Sequence, residues 1–174
     1  MRLSETFTPR LIFAGLVLIC LGYIAAALVM EHQLGLEPCP LCILQRVAVI
    51  VCGSVALAAA LHAPAPQGMN IYRILFVSVA LIGSAISVRH LWLQSLPADQ
   101  VPACGPGLDY LLDVFPLTEV LTMVLSGDGS CAEVSWSFLG LTIPGWTLIA
   151  FLVLIAIAAF TIKTDSGSDA IAEH

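Results

Sequence analysis

Charged residues are scarce in this chain, and their scarcity excludes most soluble folds. Of the 174 residues, 10% are Asp, Glu, Lys or Arg and 59% are hydrophobic, and the mean hydropathy is +1.00. A soluble domain of this size keeps about 25% charged residues, because it needs a polar surface. The sequence therefore predicts an integral membrane protein.

Basic residues are also few, since lysine and arginine together number six and form no cluster. The formal net charge of −6 is spread over loops and tails, so we expect no nucleic acid partner. The alternating apolar pattern of strands is missing as well. Its absence argues against the soluble βαβ fold of glutaredoxin-like thiol enzymes.

Four apolar stretches are long enough to cross a bilayer, which takes about 20 helical residues. They are Leu11–Met30, Ile43–Leu61, Ile71–Leu93 and Pro144–Ile162. Short connections make neighbouring helices antiparallel, so the sequence predicts an all-α, four-helix membrane bundle as a single domain over 1–163. The polar segment 164–174 is expected to be a disordered cytoplasmic tail.

The placement of the basic residues indicates the orientation in the membrane. Cytoplasmic loops carry an excess of Lys and Arg, and the side of the termini has four of the six: Arg2, Arg10, Arg73 and Lys163. We therefore expect a multi-pass protein with both termini in the cytoplasm and the loops 31–42 and 94–143 on the outer side.

The second outer loop is too long to be a simple connector. Apolar residues recur at helical spacing from Leu108 to Leu125, which predicts a short surface helix. Such a helix either lies on the membrane surface or packs on top of the bundle.

The outer loops hold four of the six cysteines: Cys39, Cys42, Cys104 and Cys131. The other two, Cys20 and Cys52, fall inside spans, where hydrocarbon disfavours a thiolate, and we interpret both as packing residues. Four cysteines allow three pairings, and the sequence alone does not choose among them. Cys39–Cys42 with Cys104–Cys131 is the natural resting pattern.

A zinc site or a pair of purely structural disulfides would also use four cysteines. Zinc usually takes two close cysteine pairs, and this chain has one, so we expect no metal. The short Cys-x-x-Cys ring suits turnover better than permanent crosslinking.

The pair Cys39-Pro40-Leu41-Cys42 precedes the second span, and Arg46 follows four residues after Cys42. A helix N-terminus and a cation on the same helix face both favour a thiolate at Cys42. Arg46 could instead be a headgroup anchor. His90, near the end of the third span, either donates to a carrier or is an interfacial histidine.

Together these features resemble the DsbB family of bacterial inner-membrane disulfide formation proteins. The resemblance covers most of the chain. It includes Cys-x-x-Cys-x-x-x-Arg after the first span, two separated cysteines in the long loop, and the segments Ser130-Cys131-Ala132-Glu133 and Trp136-Ser137-Phe138-Leu139-Gly140-Leu141 before the fourth span.

The resemblance implies an enzyme that reoxidises a DsbA-like periplasmic dithiol protein and passes the electrons to ubiquinone or menaquinone. It implies that the partner attacks Cys104 and that Cys131 is the resolving cysteine. Cys39 would exchange with Cys131 and link the two loops. By the same resemblance, the quinone site is made of Cys42, Arg46 and His90.

Two other functions fit part of the pattern. A vitamin K epoxide reductase-like protein also combines Cys-x-x-Cys, a four-helix bundle and a quinone, but its cysteine pair lies near the end of a late span. A membrane scaffold with two inert disulfides would have no thiol oxidase activity.

Overall fold

The structure is a computed structural model, and it describes residues 3–62, 64–97, 99–103, 105 and 107–172. Its elements are α1 (Leu3–Leu34), α2 (Pro40–His62), α3 (Pro66–Gln94), α4 (Leu108–Val114), α5 (Leu117–Ser126), α6 (Gly129–Ala132), β1 (Ser137–Phe138), β2 (Leu141–Thr142) and α7 (Ile143–Ala172). Helices account for 79% of the chain, which confirms the predicted all-α class.

Three helical segments of the described chain are long and apolar enough to cross a membrane: Pro9–Leu34, Pro40–His62 and Gln67–Gln94. Each is longer than the apolar stretch that predicted it. The apolar part of α7, Ile143–Ala159, is shorter. An all-α membrane protein therefore fits, while the fourth crossing stays a prediction.

The long helices pack side by side: α2 contacts α1 and α3, while α7 packs along α3 and also contacts α1. Small side chains on α2, including Ala56 and Ala59, are fully buried and allow the close approach typical of membrane helices. Phe13 of α1 meets Phe76 of α3 edge to face, with ring centroids 6.3 Å apart.

Cys20 and Cys52 lie inside this helical core, where 3% and 0% of their surfaces are exposed. Both belong to the same buried apolar cluster as Phe13 and Phe76. Their positions agree with the prediction that they serve packing.

The prediction of one helix from Leu108 to Leu125 is wrong, because the helix is interrupted between α4 and α5. Phe115 is extended, with φ −115° and ψ 149°, and Pro116 caps the next helix. Proline disfavours the helical conformation of the residue before it and lacks the N–H that a continuous helix needs.

The two short helices pack on the ends of the long ones. A buried cluster joins them to α2, α3 and α6, and its members are Leu41, Leu93, Leu111, Val120, Val124 and Cys131. Leu117 and Leu121 stay exposed on the other side of α5. One face of the segment therefore packs on the helix ends, while its placement on the membrane surface stays a prediction.

A small hairpin leads into α7, where no strand was expected. Its two central residues, Leu139 and Gly140, have φ values of 52° and 79°, and β1 and β2 pair directly on either side. Positive φ at both positions is the geometry of a type I′ turn. Leucine is an unusual residue in such a turn, so the turn could not be predicted from its residues.

The helix α7 continues to Ala172, through the segment predicted to be a disordered tail. The segment contains no proline, and extending an existing helix is far easier than nucleating a new one. Residues 173 and 174 of the predicted tail lie outside the described residues.

The close contact between α3 and α7 yields a stability prediction. A Cβ atom at Gly83 would lie 2.3 Å from the ring of the fully buried Phe151. We expect Gly83→Ala to destabilise the protein by about 1–3 kcal/mol through overpacking. The apparent unfolding midpoint in detergent, followed by circular dichroism, measures this.

The matched control is Gly22→Ala in α1, where an added Cβ meets nothing within 4 Å. We expect the Gly22 variant to unfold at or above the wild-type midpoint, because alanine favours a helix. Equal midpoints for the two variants would contradict the close helix contact.

Candidate redox site

Cys39 occupies the cap position at the start of α2. Its carbonyl accepts the Ile43 N–H at 3.1 Å, and its sulfur accepts the Cys42 N–H at 3.4 Å. Proline at the first helical position loses no hydrogen bond, so Pro40 suits this site. A cysteine thus does the capping that Ser or Asp usually does.

The same geometry holds the thiol pair together. The Cys39 thiol donates to the Cys42 sulfur across 3.1 Å, and both side chains are partly buried. Both residues are free thiols in this structure. The predicted pair is therefore within reach of a disulfide after a small movement.

Arg46 points across to the first helix. Its guanidinium forms an ion pair with Glu31 and also donates to the Ala27 carbonyl at 3.3 Å. Glu31 was not among the site residues predicted from the sequence. The available signal was an acid at the end of the first span, level with an arginine at the start of the second.

His90 lies against the first cysteine. Its Nε2 atom is 3.7 Å from the Cys39 sulfur. The helix α3, which carries His90, also packs against the short helix α6 of the long loop, so His90 lies near the junction of the two loops. Its expected place at a quinone stays a prediction.

Gln45 is a further residue that sequence reasoning missed. Only 1% of its surface is exposed, and its Nε2 atom lies 3.5 Å from Nδ1 of His90. A buried amide needs a hydrogen-bond partner, and His90 provides one. The sequence did contain a signal for Gln45, namely a single amide side chain in an apolar helix, three residues after Cys42.

Cys131 is brought to the pair by the short helix α6. Asp128 caps this helix by accepting the backbone N–H groups of Ser130 at 2.9 Å and Cys131 at 3.3 Å. The buried Cys131 side chain lies beside Cys39, which packs against the same apolar cluster. This contact with Cys39, followed by burial, raises the pKa of Cys131.

Cys104 lies outside the described residues, so its predicted role and its pairing with Cys131 stay predictions. Its described neighbours approach α6. The Gly129 N–H donates to the Ala103 carbonyl at 3.4 Å, and a Cβ at Gly105 would lie 3.7 Å from Asp128.

A cavity of about 1160 Å³ opens beside the thiol pair. Residues from α1, α2, α3 and the segment entering α7 line it, among them Tyr23, Cys42, Arg46, His90, Trp136 and Trp146. An apolar cleft with a few convergent polar groups is the usual form of a small-molecule site. The cavity is large enough for a planar ring.

Cys39, Cys42 and His90 also form a compact set of donors. One sulfur or nitrogen from each lies within 4.8 Å of the others. No zinc site was predicted from the sequence, because only sets of four cysteines were tested as ligands and the cysteine pair was not combined with a histidine.

Comparison with known proteins identifies the family. The DsbB family, described as disulfide bond formation protein DsbB, matches residues 9–161. The chain belongs to the DsbB family. The relatives named disulfide bond formation protein B include those of three bacteria. That of Nitrosococcus oceani is 55% identical over 96% of both chains. That of Hahella chejuensis is 54% identical over 88% of this chain and 93% of the relative. That of Acinetobacter baumannii is 48% identical over 90% of both.

Family membership confirms the function predicted from the resemblance. The protein is a membrane oxidoreductase of disulfide bond formation that acts on thiols, and it belongs to the bacterial inner membrane. DsbB membership also excludes the inert scaffold. It decides against the vitamin K epoxide reductase-like alternative, which the position of Cys-x-x-Cys had already disfavoured.

The surroundings of Cys131 predict low thiol reactivity. Because its pKa is raised, a smaller fraction of Cys131 is thiolate at pH 8 than for an ordinary cysteine. In the reduced protein we expect iodoacetamide to modify Cys131 more slowly than Cys39, as measured by mass spectrometry of quenched samples.

The variant Cys39→Ala removes the neighbouring thiol that contributes most to raising the pKa of Cys131. Each unit by which the pKa falls raises the thiolate fraction about tenfold well below the pKa. We expect Cys131 to react about tenfold faster in Cys39→Ala and at its original rate in the control Cys52→Ala. An unchanged rate in Cys39→Ala would contradict the contact.

Proposed function

We propose that this DsbB protein reoxidises a reduced DsbA-like periplasmic protein and passes two electrons to a membrane quinone, either ubiquinone or menaquinone. The observation that carries the proposal is that Cys39 bonds to Cys42 and packs against the cluster that contains Cys131, beside a cavity lined by Arg46. A cysteine that neighbours two others suits a relay of disulfide exchange.

The relay begins at the long loop. A thiolate of the partner attacks Cys104 in a Cys104–Cys131 disulfide, forming a mixed disulfide and releasing Cys131 as a thiolate. Cys131 then attacks Cys39 in the Cys39–Cys42 disulfide. That step joins the two loops and leaves the electron pair on Cys42.

The contacts favour this order of exchange. The Cys39 thiol donates to the Cys42 sulfur, and the buried Cys131 lies in the cluster that Cys39 packs against, so the three cysteines are neighbours. Cys39 is the middle member. The partner's second cysteine attacks the mixed disulfide and releases Cys104 as a thiolate. Cys104 then attacks Cys131 in the Cys39–Cys131 disulfide, which forms the Cys104–Cys131 disulfide again and releases Cys39 as a thiolate.

The last transfer occurs at the cavity. A quinone supplies an acceptor for two electrons and two protons, so that the whole reaction converts a partner dithiol and a quinone into a disulfide and a hydroquinone. Arg46 stabilises the negative charge that develops beside Cys42, and Glu31 holds the guanidinium in place. His90 lines the same cavity.

Redox potentials explain why the relay needs such an acceptor. A DsbA-type disulfide has a reduction potential of about −120 mV, and a thioredoxin-type disulfide one of about −270 mV. Moving two electrons from the first to the second is uphill by roughly 7 kcal/mol. A stronger oxidant that accepts the electrons from Cys42 makes the overall transfer downhill.

For the membrane arrangement we propose four crossings, by α1, α2, α3 and α7, with both termini in the cytoplasm. The basic residues near the termini support this orientation. The packing of α7 along α3 supports the fourth crossing. The redox loops are then periplasmic.

Labelling of introduced cysteines in whole cells tests the orientation. In a variant without native cysteines, we expect a membrane-impermeant maleimide to label Gly35→Cys but neither Ser4→Cys nor Ser168→Cys. All three should react once the membrane is permeabilised. Labelling of Ser168→Cys in intact cells would contradict the fourth crossing.

Separate loss of the two half-reactions tests the relay. We expect Cys104→Ala to form no mixed disulfide with the reduced partner and to leave quinone unreduced. Cys42→Ala should still form that mixed disulfide but should reduce no quinone. Non-reducing gels and quinone absorbance measure the two steps, and normal turnover in either variant would contradict the assigned roles.

Arginine variants provide the matched control. Arg46→Gln removes the charge beside the cavity, so we expect quinone reduction to fall about 100-fold while the mixed disulfide still forms. Arg89 donates to the carbonyls of Leu125 and Ser126 instead. We expect Arg89→Gln to keep quinone reduction within a few-fold of wild type.

A further inference from the structure

We propose that the reduced protein binds one Zn²⁺ ion through Cys39, Cys42 and His90, and that this ion blocks the thiol relay. The ion is a competitor of the redox reaction and not its cofactor. Binding needs free thiols, so the disulfide form has no such site. The blocking effect depends on the proposed function, whereas the binding itself does not.

The donor atoms are close to the spacing that tetrahedral zinc requires. Zinc bonds of about 2.3 Å to sulfur and about 2.0–2.1 Å to nitrogen place two sulfurs about 3.8 Å apart and a sulfur and a nitrogen about 3.5 Å apart. The structure has 3.1 Å between Cys39 and Cys42 and 3.7 Å between Cys39 and His90. The Cys42 sulfur and the nearest His90 nitrogen lie within 4.8 Å of each other. Movements of about 1 Å therefore complete the site.

The three ligands come from elements that already pack together. Cys39 and Cys42 belong to the start of α2, and His90 is in the last turns of α3 against that start. The histidine is 2% exposed, and the two cysteines are partly buried. The protein therefore orders all three ligands before the ion arrives.

Gln45 supports the histidine from behind. It lies next to Nδ1, while Nε2 faces Cys39. Zinc-binding histidines usually donate their second ring N–H to an acceptor, which orients the ring. With its amide turned, the Gln45 oxygen serves as that acceptor.

The charges nearby permit the ion. Two thiolates neutralise the charge of Zn²⁺, and Arg46, the neighbouring cation, is already paired with Glu31. Three protein ligands leave a fourth position that water fills, as in zinc sites with open coordination. Each ion bound releases two thiol protons, so the affinity rises with pH.

Metal titration of the purified protein tests the site without any partner. Zn²⁺ is distributed between the protein and a coloured chelator, once after reduction of the thiols and once after oxidation. We expect one ion per reduced chain and none per oxidised chain. Co²⁺ should give the thiolate-to-metal absorption of a tetrahedral site with the reduced protein only.

Variants identify the ligands. We expect His90→Ala to lower the Zn²⁺ affinity by at least about tenfold, and Cys42→Ser to abolish stoichiometric binding. His32 is exposed and bonds the Leu28 carbonyl of its own helix, so His32→Ala is the matched control and should bind as wild type.

A matched pair of variants tests the role of the Gln45 amide. We expect Gln45→Leu to weaken Zn²⁺ binding about tenfold, as loss of an outer partner does at other zinc sites. The exposed Gln33→Leu should have no effect. Equal binding by reduced and oxidised protein, or full affinity in His90→Ala, overturns the proposal.

Inhibition is measured separately. We expect micromolar Zn²⁺ to stop oxidation of the dithiol partner by the wild-type protein, and EDTA to restore it. Activity that persists with the ion bound overturns the blocking effect. A protein that binds Zn²⁺ as described but never oxidises a dithiol contradicts the proposed function instead.

Discussion

The capping of the second helix by a cysteine sulfur is the interaction on which the site depends. A helix start leaves backbone N–H groups without partners, and here the sulfur of Cys39 accepts one of them, from Cys42. The bond holds the second thiol against the first, in the field of the helix N-terminus. Local secondary structure therefore arranges the redox pair before any distant residue contributes.

The rest of the site of this DsbB protein lies where α1 and α3 end and α2 and α7 begin. Beneath the thiols, α2 and α3 pack through small and apolar side chains, and at their ends the same two helices supply Gln45 and His90. Buried and partly buried polar groups need hydrogen-bond or ionic partners. Each has one: the amide meets the imidazole, the imidazole meets Cys39, and Arg46 meets Glu31.

The long loop reaches the site through packing. The buried faces of α4 and α5 cover the ends of α2 and α3 together with Cys131, and the Asp128 cap aims the short helix α6 at Cys39. Apolar burial holds the loop in place, while hydrogen bonds orient the thiol. Such an arrangement keeps a sulfur near its exchange partner and still allows the small movements that disulfide exchange requires.

The sequence by itself determined the membrane class, three of the long helices, the cysteine pair with its arginine and the family, because hydropathy runs and close motifs are local patterns. It did not determine the break at Pro116, the helix continuing through the expected tail, or the residues that surround the pair. Glu31 and Gln45 became recognisable only when α1, α2 and α3 were packed together. The neighbours of Cys39 are 51 and 92 residues away in the chain, and contacts at such separations arise from helix packing, which no short stretch of sequence encodes.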